Sequence, residues 1–172
     1  MTTISISSHH LKALREHLFL GKHEQAAFGF ASWEPNKPGG LFRIQTLEFI
    51  RPNEFAFQSS YHLELGSEAQ ARIIKLAFDR RASLVEFHSH RTNWPAQFSH
   101  SDFSGFEEFV PHVRWRLSGR PYAAVVFHES SFDGLVWVDE QRVQLDGIES
   151  DGLQPQLATG LSLRAAEEPY DR

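Results

Sequence analysis

Residues 83–90 read SLVEFHSH, an apolar run that ends in two histidines one residue apart. Leu84, Val85 and Phe87 mark it as a strand. Side chains of a strand alternate between its faces, so His88 and His90 project side by side and Ser89 points away. Glu86 lies at an even offset and shares their face. A helix is expected just before, over EAQARIIKLAFDRRA, with Ser67 as N-cap and Ile73, Ile74, Ala77 and Phe78 as its apolar side. Another is expected after the loop RTNWPAQF, opened by Ser99, with Phe103, Phe106, Phe109 and Val110 inward. Pro111 is expected to end or kink it.

The rest of the chain fits around this unit. Leu11, Leu14 and Leu18 have helical spacing within 7–20. EQAAFGFASWEP and LFRIQTLEFIRP read as strands, and FAFQSSYHLEL holds a short extended piece. YAAVVFHE and LVWVDEQRVQL read as strands joined by SSFDG. After residue 148 the pattern becomes polar and weak. The expectation is one domain over 1–148 and a polar, partly ordered tail over 149–172. The order of elements predicts a single α/β (α+β) domain, a mixed central sheet flanked by helices.

Composition narrows the chemistry. A chain of 172 residues is long enough for one domain with a core of its own. The net charge of −5 argues against a nucleic-acid binder held by backbone phosphates. No apolar run approaches the roughly 20 residues of a membrane helix, and the N-terminus lacks a signal-peptide core. A cytoplasmic protein is expected. Cysteine is absent, which removes disulfides, a thiol nucleophile and thiolate ligands together. A metal site must therefore use histidine, carboxylate and water.

Two imidazoles on one strand face suit a zinc ion. Asp102, at the start of the following helix, is placed to be the third ligand, and His100 is its competitor. Three protein ligands leave a position for water, whose pKa zinc lowers to about 7. Hydrolysis then needs a carboxylate to move the proton. Glu24, at the head of the first expected strand, is the candidate. Glu86 is the alternative acid or a supporting group, and Glu34 a poorer rival. His23 and the His9–His10 pair read as surface residues. Asp102 and Ser99 also have plain roles, as a first-turn acid and an N-cap.

Glu24, then H88-S-H90 at a strand end, then S99-H-S-D102 at a helix start, resembles the JAMM motif of the JAB/MPN (Mov34) metalloproteases, particularly short bacterial members. The likeness runs over about residues 11–145 through element order. It implies an MPN-like domain of cytidine-deaminase-like architecture. It implies zinc on His88, His90 and Asp102, Glu24 as acid–base, and Ser99 as hydrogen-bond donor to the oxyanion. The substrate implied is the C-terminal tail of a ubiquitin-like protein or its conjugates, with E1- or E2-like enzymes of the same system as partners. An antiphage role and deubiquitinase-like chemistry belong to the same expectation. Trp94 and Phe98 border the site and are candidates to contact such a tail. The sequence departs from the motif in three places. Arg91 stands where proline follows the second histidine, Phe98 where proline precedes the serine, and eleven residues rather than ten separate His90 from Asp102. A metal-binding scaffold without catalysis is one alternative. A different metal hydrolase drawing on His112 or His128 is another.

Overall fold

The computed structural model describes residues 1–36 and 38–167. The central strands are β2 (Ala26–Pro35), β3 (Gly40–Phe49), β6 (Ser83–Ser89), β7 (Tyr122–Phe127) and β8 (Phe132–Val138). Among the described residues nine strands form one mixed sheet, in the order β11 (Gln156–Leu157), β10 (Gly147–Glu149), β1 (Thr2–Ser5), β3, β2, β6, β7, β8 and β9 (Gln141–Gln144), and β4 (Phe55–Gln58) and β5 (Leu63–Leu65) pair separately as a hairpin. Helix α1 (Ser8–Leu18) covers one face with Leu11, Leu14 and Leu18, packed with Val85, Phe87 and Val125. Helices α2 (Ser67–Asp79) and α3 (His100–Arg116) cover the other, where Ile73, Ile74, Phe106 and Val110 meet Leu84, Phe28 and Val126. The period of two along β6 thus feeds two cores at once.

β6 and β7 run parallel, and α3 makes the crossover between them. That crossover returns the chain over the C-terminal end of β6, where α3 begins. Ligands in α/β sheets characteristically bind outside this end of the strands. β2 is antiparallel to β6 with Ala26 opposite His88, so the N-terminal end of β2 lies at the same edge.

Several local expectations are corrected. Residues 2–5 form a strand, β1 (Thr2–Ser5), inserted between β3 and β10 (Gly147–Glu149). Gly66, not Ser67, caps α2. The Gly66 N–H bonds the Glu54 carbonyl at 2.8 Å, and a Cβ there would lie 2.9 Å from the same oxygen. Phe78 falls outside the arc of Ile73, Ile74 and Ala77 and is exposed. Pro111 does not end α3, which runs on to Arg116. Burial of Val113 and Leu117, about 2 kcal/mol each, outweighs the roughly 3 kcal/mol a mid-helix proline costs.

The extended piece in 55–65 is two strands, β4 (Phe55–Gln58) and β5 (Leu63–Leu65). The residues expected as one strand after 134 split into β8 and β9 (Gln141–Gln144), with Asp139 left-handed at φ 52° in the turn. Phe132, Asp133 and Gly134 belong to β8 rather than to a turn. The expected boundary at 148 falls inside β10, and the tail supplies β11 (Gln156–Leu157) and α4 (Leu161–Glu167), which contacts β8. Residues 168–172 of that tail lie outside the described residues. No helix among the described residues is long and apolar enough to cross a membrane.

Candidate metal centre

Three adjacent strands deliver side chains to one spot at this edge. Strand register decides which. With Ala26 opposite His88 in an antiparallel pair, continuing the ladder two residues sets Glu24 across from His90. The intervening residues are bonded, Ser89 N–H to the Gln25 carbonyl at 3.1 Å and Gln25 N–H to Ser89 Oγ at 3.0 Å. On the other side Val126 is beside His88, so His128 follows beside His90. Ser89 faces away as expected, its hydroxyl donating to the Leu18 carbonyl at 2.7 Å.

Buried His88 and His90 and half-buried Asp102 form a group that could hold a metal ion. His88 Nε2 and His90 Nε2 are 3.3 Å apart. Asp102 Oδ1 is 3.4 Å from the first and Oδ2 is 3.1 Å from the second. Ligands about 2.0–2.1 Å from a tetrahedral zinc stand about 3.3 Å from one another. The Nε2–Nε2 separation matches such an edge, and the carboxylate meets the two imidazoles through different oxygens. The charge of the neighbourhood fits too. Glu24, Glu86 and Asp102 are three carboxylates around two imidazoles, and buried charge needs compensation.

Asp102 is aimed by the start of α3. Ser99 Oγ accepts the Asp102 N–H at 3.2 Å, and Asp102 Oδ2 accepts the Ser99 N–H at 2.7 Å, a reciprocal capping box. The cap and the ligand are therefore one device. His100, the competing ligand, is exposed at the first turn, and the group closes through Asp102 instead.

Behind each imidazole stands a partner. Glu86 Oε1 lies 3.6 Å from His88 Nδ1, an ion-pair separation just beyond a hydrogen bond. The buried Tyr122 hydroxyl donates to Glu86 Oε2. His90 Nδ1 meets His128 Nε2 at 3.2 Å, and His128 Nδ1 meets Thr92 Oγ1 at 3.0 Å. A metal on His90 Nε2 requires Nδ1 to carry the proton and His128 Nε2 to accept it. Such outer partners fix tautomer and ring orientation. Glu86 was legible from its even offset, whereas His128 depends on the β6–β7 register. Glu86→Gln is expected to weaken divalent-metal affinity 10- to 100-fold, measured by competition with a chromophoric chelator. An unchanged affinity would show that Glu86 only pairs with Tyr122.

The titration of the cluster is strongly displaced. Burial alone lowers the His88 pKa, but the Asp102 carboxylate, and then Glu86, raise it to about 10. Burial raises Asp102, and His88 and His90 together hold it well below the ordinary range. Burial pushes the Glu24 carboxyl up against the opposing pull of His90 and His88. His128 is lowered, first by burial and then by the charge of His90.

Glu24 is buried, with its Oε1 3.8 Å from His90 Nε2. Its backbone is clamped by the β4–β5 hairpin. The Glu24 N–H donates to the Ser59 carbonyl at 2.8 Å, and Gln58 Nε2 donates to the Glu24 carbonyl at 2.9 Å. The sequence carried no sign of this clamp. Glu34 is exposed and paired with Arg43, and His23 and His9 are exposed. Phe98 is not available to a substrate, because its ring is buried against His88 at 5.6 Å and Phe106 at 4.9 Å. Trp94 is exposed. A cleft of about 970 Å³ opens on the cluster between the hairpin and α3, lined by His88, Asp102, Glu86, Leu63, Leu65 and Phe109 among others.

Fold and site together define a single-domain α/β protein with a two-histidine, one-aspartate group able to hold a metal ion. No protein-family model matches the chain. The search of curated proteins found no match. Among solved structures it is similar to protein DSY2949 from Desulfitobacterium hafniense, at 14% identity and TM-score 0.51, over 86% of this chain and 92% of that one. A protein from Salinibacter ruber is similar at 16% identity and TM-score 0.43, over 91% and 96% of the two chains. The first likeness shows the fold alone.

Proposed function

We propose that this chain is a metal-dependent peptidase or isopeptidase, with zinc on His88, His90 and Asp102 and Glu24 as general acid–base. One observation carries the reading. Glu24 is a buried carboxylate, raised by that burial, 3.8 Å from a histidine of the metal group and without an ion-pairing lysine or arginine among the described residues. A purely structural metal site has no use for such a group. A metal held by the triad would polarise the scissile carbonyl and bring a water's pKa near 7.

Glu24 takes the proton of the attacking water and returns it to the leaving amine as the C–N bond breaks. A single carboxylate can make both transfers, first as base and then as acid. The Ser99 oxygen accepts the Asp102 N–H and pairs with Ser101 Oγ at 3.0 Å; with Ser101 as donor of that pair, the Ser99 hydroxyl proton is directed to the oxyanion. His128 holds the His90 ring by a hydrogen bond, and Glu86 faces His88 Nδ1 at ion-pair distance. The cleft beside the cluster has room for an extended peptide.

The substrate proposed is the C-terminal tail of a ubiquitin-like protein, joined to a lysine or to a short extension. Its support is the JAMM-like order of Glu24, His88, His90, Ser99 and Asp102. E1- or E2-like enzymes of the same conjugation or antiphage system are the partners this implies. The test is incubation of the zinc-loaded chain with fusions carrying ubiquitin-like tails, read by intact mass. Cleavage after the last tail residue is the expected result. A chain that holds one zinc and cuts no fusion would overturn the peptidase reading in favour of a binding module.

A further inference from the structure

The loop 91–98 joins the two halves of the metal group, and the C-terminal segment holds that loop from behind. The Phe98 N–H donates to Ser162 Oγ at 2.9 Å, and the Thr159 hydroxyl donates to the Ala96 carbonyl. The Ala96 N–H donates to Ser131 Oγ at 2.9 Å. Ser162 is itself fixed. It is fully buried, and its N–H donates to Asp133 Oδ2 at 2.7 Å. Asp133, also fully buried on β8, takes the Gly160 N–H at 3.0 Å and Gln144 Nε2 at 2.9 Å on its other oxygen. A buried carboxylate with three N–H donors is a firm anchor.

From Ser162 the path to the metal group is short. Phe98 precedes Ser99, whose N–H donates to Asp102 Oδ2. The Phe98 ring packs on His88. We infer that Asp133 and Ser162 are positioning residues for the metal centre, stapling the C-terminal segment beneath the loop and thereby setting the place of Asp102. This rests on the metal reading of His88, His90 and Asp102. The physical need is plain. Residues 91–98 form neither helix nor strand, and a metal ligand must be held within about 0.5 Å of its working position. Loss of the Ser162 hydroxyl leaves the buried Phe98 N–H without its acceptor and frees the backbone next to the cap that aims Asp102.

The test compares zinc affinity with the thermal midpoint of the metal-free full-length chain. Wild type is measured first. If it takes up no zinc, the metal reading fails and this inference falls with it. Given wild-type binding, Ser162→Ala is expected to weaken zinc affinity about tenfold or more, and Ser162→Thr, which keeps the hydroxyl, to restore it. Leu14→Ala, a core truncation on the opposite sheet face, is the control. It is expected to lower the midpoint at least as far while leaving zinc affinity unchanged. Should Ser162→Ala not fold, Thr159→Val cuts the adjacent tie to Ala96 and must show a loss of the same kind. Wild-type affinity in Ser162→Ala, or in Thr159→Val where that variant replaces it, overturns the inference. So does a loss in Leu14→Ala that tracks its midpoint.

Discussion

Glu24→Gln is expected to keep its metal and lose hydrolysis. Glutamine matches glutamate in shape, and the backbone clamp from Ser59 and Gln58 does not involve the carboxyl. The substitution therefore removes proton transfer and little else. General acid–base catalysis typically contributes about 10²–10⁴ in rate, or about 3–5 kcal/mol of barrier. The loss should appear in kcat, with zinc content unchanged. Wild-type activity should also fall as pH drops through the Glu24 pKa. Burial raises that pKa in the metal-free protein and a bound dication opposes the shift, so the position of the acid limb in the zinc-loaded protein reads the balance of the two. A Glu24→Gln protein as active as wild type would remove Glu24 from the reaction.

Asp102→Ala should take zinc content from about one ion per chain to near zero, read by plasma mass spectrometry. It removes the only anionic member of the triad and leaves two imidazoles facing each other. It also strips the acceptor from the Ser99 N–H, so helix capping suffers by about 1 kcal/mol. Asp102→Asn separates the two effects. Its amide oxygen can keep the cap while the ligand charge is gone, so zinc should fall sharply with little change in the metal-free fold. Zinc loading is also expected to depend on pH. His88 holds a proton in the metal-free protein up to about 10, against 6.5 when unperturbed. The stability this contributes is fully present below 6.5 and is lost as pH rises through about 10. Zinc needs the neutral imidazole. Binding at pH 7–8 should therefore release about one proton, and affinity should rise about tenfold per pH unit. Titration calorimetry in buffers of different ionisation enthalpy checks this. No proton release would show that His88 is already neutral without metal.

Much of the metal group was legible before the fold. The alternation of a strand puts His88 and His90 on one face and Glu86 with them, whatever the strand packs against. The serine three residues before Asp102 signals a capping box, and a capping box aims its acid. Helices α1 and α2 followed from apolar spacing. These are local rules, set by backbone geometry over a few residues.

The misses were also physical. Pro111 has a local penalty, but burial of Val113 and Leu117 is a tertiary gain that exceeds it. Phe98 looks like a loop residue until α3 folds over it. Residues 149–167 look like a tail because their partners, Asp133 and the loop at 96–98, lie far away in the chain.

The sequence alone determined the donor types, their side of the strand, and the absence of thiolate chemistry. Tertiary structure decided the rest: the register that sets Glu24 and His128 on either side of His90, the crossover that brings Asp102 to within 3.4 Å of both histidines, and the buried Ser162 behind the loop. The division has one cause. Alternation and capping are properties of neighbouring residues, whereas register and crossover packing exist only once distant segments share a core.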